Sequence, residues 1–404
     1  METIPQDCAD GGELLYRVGY WWSEKKSQKL DANELKRLFA ERQCELVKLD
    51  FDRHMDLQGP FHLIVHKISD ILVRADQGDQ IARKTISAFE NYVRKHPETI
   101  ILDPLDNNRT LLDRYKQYRL IEQSNLAKEN VVFTPTFVHL TSTNIDVNRG
   151  RIRRSKVTFP IVCKPILAQG STGAHQMCII FNEAGLKDVK PPCVAQSFVN
   201  HNAKLFKLFV IKDKYYVMER PSLKNFHSGD YETVFFYSHD ISKPNSSSFL
   251  TELDETDKHH LESLVLKMQK FAVATKKTEP TNSVSCGKTM KSIYDDNHCD
   301  EKQSSSSPLI PNDEILKKIV KIFNDKLGLA FYGIDIIIEK GTSRYAIIDM
   351  NTFPGYDGVD NFLIIFRDVV CDAIPKETIS HQTLQTTKLF KRKPTEIDSG
   401  IEST

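Results

Sequence analysis

Apolar residues recur along the first third of the chain with two alternating periods, one typical of strands and the other of helices. Residues 15–20 predict a strand, and Asp31 is placed to cap a following helix that carries Leu35 and Leu38 on one face. Further strands are expected at Glu45–Leu49, His62–His66 and Ile100–Leu102, and further helices at Ile81–Val93 and Thr110–Gln123. This alternation predicts an open, largely parallel sheet of α/β type.

The middle of the chain, from about residue 131 to 250, is richer in strands. Phe159–Pro165 and Gln176–Phe181 predict a hairpin over the glycine-rich loop Gln169–His175. A second hairpin is expected over Lys207–Arg220, with its turn at Asp213-Lys214. The pattern therefore predicts a second region built mainly from antiparallel strands.

Changes in composition divide the chain into domains. Residues 275–311 contain four consecutive serines and few large apolar residues, which predicts a flexible insertion. We expect an N-terminal α/β domain at 14–128, a central subdomain at 129–250, a C-terminal subdomain at 251–375 that contains this insertion, and a disordered tail at 376–404.

Composition and charge restrict the possible functions. The 404 residues are 40% hydrophobic and 27% charged with a net charge of +1, so no global field draws the chain to nucleic acid or a membrane. No apolar run approaches the roughly 18 residues of a spanning helix, and Met1–Gly12 lacks the apolar core of a signal peptide. The 8 cysteines are scattered without a C-x-x-C pair, so we expect reduced thiols and a cytoplasmic location.

An acidic hairpin is the most informative motif. The apolar segments Gly333–Ile338 and Ile347–Gly355 predict two strands, and pairing about the middle of their turn places Asp335 opposite Asp349. Asn351 points to the same face as Asp349, because strand side chains alternate. Facing like charges are unfavourable unless a cation lies between them, and two carboxylates with an amide oxygen suit Mg²⁺. The pattern favours a magnesium and nucleotide site; the alternative is a solvated hairpin face.

Basic residues accompany the second hairpin and the glycine-rich loop. A turn at Asp213-Lys214 places Lys207 opposite Arg220, which a phosphate-bearing ligand would stabilise; the alternative is that both side chains point into solvent. Lys164 ends the strand before the glycine-rich loop, where it is placed to contact a nucleotide phosphate. His175 at the end of that loop is a candidate donor to a substrate phosphate, and the alternative is a structural role.

The densest basic run, Arg149 to Lys156, is the one feature that suggests nucleic-acid binding. It contains no interleaved aromatic residue, and the charge of the whole chain is balanced. We therefore expect a solvated loop here, and no nucleic-acid interface.

The acidic hairpin also resembles the metal site of a known enzyme family. Its strings Asp349-Met350-Asn351-Thr352-Phe353-Pro354-Gly355-Tyr356 and Gly333-Ile334-Asp335 are similar to those of the inositol 1,3,4-trisphosphate 5/6-kinases, also called inositol-tetrakisphosphate 1-kinases, of the ATP-grasp superfamily. The resemblance covers residues 14–255 and 312–372 and includes Val18-Gly19-Tyr20-Trp21, Ser23-Glu24-Lys25-Lys26, His96-Pro97-Glu98-Thr99, Leu102-Asp103-Pro104-Leu105, Arg109–Arg114, Asn200-His201-Asn202-Ala203 and Arg220–Phe226. It implies an ATP-grasp fold of α/β (α+β) class, in which the N-terminal domain precedes two ATP-grasp subdomains with the nucleotide cleft between them.

The resemblance implies roles for individual residues. ATP is assigned to Arg114, Lys164, the segment Gln196–Lys207, Ser222, Ser238 and Ser242. The inositol phosphate is assigned to Lys26, His175, Lys207, Asn351 and Gly355, and magnesium to Asp335, Asp349 and Asn351. Lys164, Arg220, Asp349 and Asn351 are implied to act on the phosphates during the reaction. Gln169 stands where the family often has His, so a contact from this position is not carried over.

The implied function is an inositol polyphosphate kinase, which transfers the γ-phosphoryl group of ATP to a ring hydroxyl of an inositol tris- or tetrakisphosphate with the help of two Mg²⁺ ions. Two alternatives stay open: an ATP-grasp carboxylate ligase that forms an acyl phosphate, and a non-catalytic ATP-binding scaffold. The expected partners are small inositol phosphates, without nucleic acid or membrane insertion, and the expected state is a monomer.

Overall fold

The computed structural model describes residues 15–28, 30–126, 130–170, 172–259, 261–263 and 311–375. Within them the strands form one sheet of four strands and two sheets of five strands. The insertion predicted at 275–311, apart from Pro311, and the tail predicted at 376–404 lie outside the described residues. None of the described helices is long and apolar enough to cross a membrane.

The first sheet comes from the N-terminal third of the chain and is parallel throughout, as the alternating pattern predicts. Its strands are β1 (Tyr16–Trp21), β2 (Cys44–Lys48), β3 (Leu63–His66) and β4 (Ile100–Leu102), in the order β2-β1-β3-β4. Helices occupy Glu24–Ser27, Ala32–Ala40, Ser69–Asp76 and Gln80–Lys95. Asp31 caps the second of these helices, because its carboxylate accepts hydrogen bonds from the backbone N–H groups of Asn33 (2.9 Å) and Glu34 (3.1 Å).

The helix predicted at Thr110–Gln123 is two helices, Leu105–Leu112 and Arg114–Glu122. Asp113 separates them in an extended conformation, with φ −112° and ψ 112°, and its side chain caps the second helix. The prediction of one helix is wrong because apolar periodicity does not detect a single extended residue that also serves as a cap. The break makes Arg114 the first residue of a helix that faces the third sheet.

The second sheet is antiparallel. Its strands are β6 (Phe137–Leu140), β7 (Ile161–Pro165), β8 (Gln176–Ile180), β9 (Cys193–Ser197) and β12 (Val234–Tyr237), in the order β12-β8-β7-β9-β6. The hairpin predicted over the glycine-rich loop is the β7–β8 pair. Buried apolar side chains cover both faces of this sheet, which makes it a rigid support for the residues at its edges.

The basic run predicted as a loop lies mostly in the helix Ile145–Arg154. Asn144 caps this helix, and Arg149 and Arg153 pair with Glu183 at 3.0 Å and 2.7 Å. The expectation of a loop is wrong because arginine is a good helix former and an N-cap residue precedes the run.

The third sheet takes strands from both sides of residue 250, where the sequence divides the two subdomains. Its strands are β5 (Val132–Phe133), β10 (Lys204–Ile211), β11 (Lys214–Pro221), β13 (Phe331–Ile338) and β14 (Tyr345–Thr352), in the order β11-β10-β13-β14-β5. The helix Asp313–Leu327 begins after Asn312, which caps it, and places Leu316, Ile319 and Phe323 in a core with residues of β13 and β14. The short helix Ser238–Ile241 follows β12.

The last described helix, Phe362–Asp372, connects the first sheet with the third. The ring of Phe366 lies 6.2 Å from Trp22, 6.1 Å from Phe39 and 5.3 Å from Phe331, measured between ring centroids. This aromatic core holds the segment after β1 beside the end of β14, and that placement brings Lys26 to the acidic hairpin.

Candidate active site

The carboxylates of Asp335 and Asp349 form the centre of the site. The two residues are direct neighbours across the β13–β14 ladder, as predicted, and Asn351 lies opposite Gly333. The side chains of Asp335 and Asp349 are 14% and 16% exposed. Two mostly buried carboxylates in register are unfavourable by themselves, which points to a bound cation.

The pairing depends on a β-bulge that the sequence pattern did not reveal. Near the turn Ile338 pairs with Tyr345 and Ile336 with Ile347, whereas Asp335 pairs with Asp349, so Ile348 has no partner in the ladder. The extra residue turns neighbouring side chains to one side of the strand. Ile348 and Asp349 accordingly both line the cavity beside the sheet.

Basic side chains surround the acidic pair. Lys207 Nζ lies 3.5 Å from Asp335 Oδ1, and Arg114 Nε lies 3.6 Å from Asp349 Oδ1. Burial raises the pKa of Asp335 above its ordinary value; Lys207 opposes the rise, and Asp349 adds to it. These cations do not fully offset the burial of the Asp335 charge, so a further cation would stabilise it.

Lys164 is buried at the end of β7 and is held by the bulge. Its Nζ donates hydrogen bonds to the Ile348 carbonyl (2.7 Å) and to the Tyr118 hydroxyl oxygen (2.8 Å). The Tyr118 hydroxyl in turn donates to the same carbonyl at 2.8 Å. Burial lowers the pKa of Lys164 to about 8, and the charge of Asp349 opposes that shift. Lys164 therefore supplies a desolvated positive charge that an anionic ligand would stabilise.

Arg114 has a second role besides facing Asp349. Its Nη1 donates to the carbonyl oxygens of Pro165 (2.8 Å), Leu167 (3.0 Å) and Ala174 (3.3 Å), and the residue is 1% exposed. These bonds tie the glycine-rich loop to the helix Arg114–Glu122. The predicted contact of Arg114 with ATP stays a prediction, because Arg114 does not line the cavity between the second and third sheets.

A cavity lies between the second and third sheets. Its apolar walls include Val162, Met177, Leu223, Phe236 and Ile337. Lys164, Asp335 and Asp349 line it together with four predicted ATP contacts, Gln196, Ser222, Ser238 and Ser242. The Gln196 amide nitrogen is buried and makes no hydrogen bond within the described part of the chain. An apolar cleft lined by a few polar groups suits the nucleoside part of a nucleotide.

The predicted pairing of Lys207 with Arg220 is wrong. The turn consists of Lys212 and Asp213, since Ile211 pairs with Lys214, and Lys207 consequently faces Met218 while Arg220 faces Leu205. Arg220 keeps the same sheet face but lies two residues along the strand. The Arg220 Nη2 donates to the Asp357 carbonyl at 2.7 Å, beside the loop after β14.

The shift in the turn follows from a side chain and a backbone preference. Ile211 is buried, and extending β10 to include it leaves Lys212 in the left-handed region with φ 54°. Lys207 instead finds a partner on the other side of β10, where it pairs with Asp335 of β13. Lys207 thus pairs with Asp335, and Arg220 is left to bond the neighbouring loop.

Two lysines from the first sheet reach the loop after β14. Lys26 Nζ donates to the Pro354 carbonyl (2.8 Å) and lies 4.6 Å from the centre of the Phe353 ring, while Lys67 Nζ donates to the Phe353 carbonyl (2.7 Å). Gly355, a predicted substrate contact, is the next residue in this loop. The sequence interpretation missed Lys67, which follows β3 just as Lys26 follows β1. Because β1 and β3 are adjacent parallel strands, their carboxyl ends lie at the same edge of the sheet. The rule that ligands bind at this edge could have identified Lys67 from the sequence.

The glycine-rich loop lies between the first and second sheets. Gln169 accepts a 2.9 Å hydrogen bond from the Ser69 hydroxyl, so this position contacts the N-terminal domain. His175, at the other end of the loop, places Nδ1 3.4 Å from the Ser238 hydroxyl oxygen. The phosphate-binding role of the loop stays a prediction, because Ser171 lies outside the described residues.

The donor set fits magnesium. Asp335 Oδ1 and Asp349 Oδ1 are buried and make no hydrogen bond among the described residues. Asn351, two residues after Asp349, adds an amide oxygen on the same face of β14. Two carboxylates and an amide are hard oxygen ligands, and so few protein ligands leave coordination positions for phosphate oxygens.

Comparison with known families agrees with this geometry. The family model described as the inositol 1,3,4-trisphosphate 5/6-kinase ATP-grasp domain matches residues 126–271 and 263–372, and the one described as the pre-ATP-grasp domain of these kinases matches residues 17–107. The fold and the site therefore define an ATP-grasp enzyme, in which the cleft between the second and third sheets carries a buried lysine on one side and an acidic pair on the other.

Curated relatives agree with the family models. The chain is 38% identical to the inositol-tetrakisphosphate 1-kinases of Xenopus laevis and Danio rerio over 349 residues, which is 86% of this chain and 76% of each relative. It is 25% identical to inositol-tetrakisphosphate 1-kinase 1 of Oryza sativa subsp. indica over 359 residues, 88% of this chain and 84% of that protein. The chain belongs to the inositol 1,3,4-trisphosphate 5/6-kinase family and is an ATP-dependent inositol phosphate kinase, which confirms the predicted family and fold.

Proposed function

We propose that this kinase transfers the γ-phosphoryl group of ATP to a ring hydroxyl of inositol tris- and tetrakisphosphates, in the manner named for the 1,3,4-trisphosphate 5/6-kinases and the 3,4,5,6-tetrakisphosphate 1-kinases. The observation that carries the proposal is the position of the acidic pair. Asp335 and Asp349 line the cavity between the second and third sheets, while Lys26 and Lys67 approach the loop after β14 from the first sheet. A nucleotide and a polyanionic acceptor would thus meet beside two carboxylates.

The nucleotide side of the proposal rests on the second sheet. Lys164 would contact the phosphates of ATP, since it carries a buried positive charge among neutral hydrogen-bond partners. Gln196, Ser222, Ser238 and Ser242 would bind the nucleoside within the cavity. Arg114 would act near the phosphates through the loop whose carbonyl oxygens it holds.

Asp335, Asp349 and Asn351 would hold magnesium, and we propose two ions. Bound Mg²⁺ would neutralise charge on the phosphate oxygens that ATP presents to the acidic pair. Lys207 would balance the charge of Asp335 and approach the acceptor from the same face of the sheet.

The acceptor side rests on a group of basic residues around the loop 353–358. Lys26, Lys67 and His175 would bind phosphate groups of the inositol ring, with Asn351 and Gly355 as further contacts. Arg220, which is bonded to this loop at Asp357, would hold phosphate charge as it redistributes. Several cations around one acceptor favour a polyphosphate over a carboxylate substrate.

A domain division, an oligomeric state and a location complete the proposal. We propose an N-terminal α/β domain at 14–128 followed by ATP-grasp subdomains at 129–250 and 251–375, the second contributing the hairpin that pairs with β10. We propose a monomer as the active unit. The described cysteines are buried free thiols, which supports the reducing cytoplasm.

The decisive experiment offers a panel of inositol tris- and tetrakisphosphates with magnesium and ATP and separates the products by chromatography. We expect at least one acceptor to gain one phosphate with equimolar ADP, and Asp349→Asn to lower this rate by at least about a hundredfold. ADP release that requires a carboxylate and a second nucleophile would instead identify a ligase. Binding of ATP without transfer to any acceptor would identify a scaffold.

The acceptor site is tested separately with Lys67→Met. We expect the KM for the inositol phosphate to rise about tenfold, which corresponds to one lost charged contact, with a much smaller change in the KM for ATP. The matched control is Lys84→Met, because Lys84 is exposed on the helix Gln80–Lys95. Equal effects of the two variants would remove Lys67 from the site.

A further inference from the structure

His201 lies at the wall of the nucleotide cavity with both ring nitrogens engaged. The residue is 5% exposed and lines the cavity together with Ser222, which is 6% exposed. Its Nδ1 lies 2.7 Å from the Val199 carbonyl oxygen, and its Nε2 lies 2.7 Å from the Ser222 hydroxyl oxygen.

The partners of the two nitrogens determine where the ring proton sits. A carbonyl oxygen can only accept a hydrogen bond, so Nδ1 must carry a proton and donate to Val199. Burial lowers the pKa of His201 to about 4, which keeps the ring neutral at physiological pH. Nε2 of the neutral ring is then unprotonated and can only accept.

This tautomer determines the polarity of Ser222. The hydroxyl has one proton, and it must point at His201 Nε2 to form the 2.7 Å hydrogen bond. The other electron pairs of the oxygen are left for the cavity, and they can only accept. A serine that is free to rotate would bind a donor or an acceptor equally, whereas this serine distinguishes them.

We propose that His201 is a positioning residue that fixes the Ser222 hydroxyl as a hydrogen-bond acceptor for the bound nucleotide. The inference rests on the proposed binding of the nucleoside in this cavity. The ligand group at Ser222 is an N–H or O–H donor, either the exocyclic amine of the base or a ribose hydroxyl. A nucleotide that presents an acceptor or a carbon atom at this point leaves the buried oxygen unpaired and binds more weakly.

The surrounding structure holds His201 in this role. The backbone N–H of Ser222 donates to the Ala203 carbonyl at 2.8 Å, which keeps the segment 199–203 beside Ser222. The next residue, Asn202, is bonded through its backbone N–H to Asn225 at 3.0 Å. The position of the imidazole relative to Ser222 therefore does not depend on a flexible loop.

The test compares the binding of ATP and of nucleotide analogues to the unsubstituted protein and to its variants. Dissociation constants are measured by calorimetry without inositol phosphate. The analogues are purine riboside 5′-triphosphate, which lacks the exocyclic amine, and 2′-deoxy-ATP and 3′-deoxy-ATP, which each lack one hydroxyl. We expect one of the three to bind the unsubstituted protein about tenfold more weakly than ATP. In Ser222→Ala the same analogue and ATP should bind equally within about twofold, because the oxygen that accepts the hydrogen bond is gone.

His201→Asn tests the positioning role. The asparagine amide can keep donating to the Val199 carbonyl but is too short to accept from Ser222. In His201→Asn we expect the same analogue to bind only about threefold more weakly than ATP, or less. The double variant His201→Asn with Ser222→Ala should bind ATP no more weakly than Ser222→Ala alone. Ser238→Ala, which alters another serine of the cavity, should combine additively with His201→Asn.

Additive effects of His201→Asn and Ser222→Ala, or the same analogue penalty with and without Ser222, would overturn the inference. If His201→Asn unfolds the protein, as a lower melting temperature would show, the analogue series on Ser222→Ala still decides whether Ser222 accepts a hydrogen bond. These measurements use no inositol phosphate, so their result can still be interpreted if the protein fails to phosphorylate inositol phosphates.

Discussion

Asp335 and Asp349 face each other across the β13–β14 ladder only because Ile348 is bulged out between the turn and the acidic pair. The same bulge turns the Ile348 carbonyl towards Lys164 Nζ, at 2.7 Å, and towards the Tyr118 hydroxyl, at 2.8 Å. One irregular residue thus places the carboxylates of the third sheet and holds the lysine of the second. The bulge couples the two sheets at the point where the phosphates of ATP are expected.

Replacing Asp335 should separate activity from stability. Burial raises the pKa of Asp335, so its charged form is unfavourable in the ligand-free protein. We expect Asp335→Asn to lower kcat/KM by at least about a hundredfold, since a magnesium ligand is lost, and to raise the free energy of unfolding without magnesium by about 1 kcal/mol. Steady-state kinetics and denaturant titration measure the two effects. Asp325→Asn, on the exposed side of the helix Asp313–Leu327, should change neither quantity.

The pH dependence of ATP use should report Lys164. Burial lowers the pKa of Lys164 to about 8, so in the free protein its positive charge is present below pH 8 and is lost above it. We expect kcat/KM for ATP to fall above pH 8, approaching tenfold per pH unit. Lys164→Arg should retain the charge and flatten this limb, whatever its effect on the maximum rate. A wild-type profile that stays level to pH 10 would contradict the assignment.

The stability of the fold should decrease between mildly acidic and neutral pH through Asp103. This carboxylate accepts hydrogen bonds from the backbone N–H groups of Ala330 (2.5 Å) and Phe331 (3.1 Å), yet burial raises its pKa to about 7. An acid with a raised pKa binds its proton more tightly in the folded chain. Its contribution to the free energy of unfolding therefore falls by about 1.4 kcal/mol per pH unit from about pH 4 to about pH 7, and is constant above.

Denaturant titrations of the wild type and Asp103→Asn at pH 5, 6, 7 and 8 isolate this contribution. As the pH rises to 7, the free energy of unfolding of Asp103→Asn should increase relative to that of the wild type. Asp106→Asn is the control, because the Asp106 side chain is 90% exposed. A difference that is independent of pH would show that Asp103 keeps its ordinary pKa in the folded chain.

A buried polar network should connect nucleotide affinity to the turn of the acidic hairpin. Asp257 forms an ion pair with Lys340 of that turn and accepts a 2.8 Å hydrogen bond from Asn225, which itself bonds Asn202 beside the cavity. We expect Asp257→Asn to raise the KM for ATP several-fold, about 1 kcal/mol, with a smaller change in the KM for the acceptor. Glu255→Gln is the control in the same segment, since the Glu255 side chain is 78% exposed. Equal effects of the two variants would show that the network only supports folding.

Much of the fold could be predicted because local patterns determined it. The parallel first sheet follows from alternating strand and helix periods, and the cap at Asp31 and the two main hairpins follow from short-range signals. The sequence also predicts that Asp335 faces Asp349, on the assumption that the hairpin is regular. In the protein the hairpin is irregular, and the bulge at Ile348 supplies the one extra residue that brings the two aspartates opposite each other.

The errors share a physical origin. The β10–β11 turn lies one residue earlier than predicted, which shifts the strand pairing by two residues, because burial of Ile211 outweighed the turn preference of Asp213-Lys214. Asp113 breaks a helix that apolar spacing predicts as continuous. In each case one residue in a special conformation changed which side chains meet, and the average pattern over ten residues does not register it.

The sequence by itself determined the class of fold, the family and the chemical groups of the site, because these depend on short strings and on the local periods of apolar residues. Only the tertiary structure decided which groups meet. Lys67 and Lys26 reach the loop after β14 from a different sheet, Lys207 pairs with Asp335 and not with Arg220, and His201 orients Ser222. The lysine contacts join residues more than a hundred positions apart, so they are determined by packing of whole layers, and no local pattern carries that information.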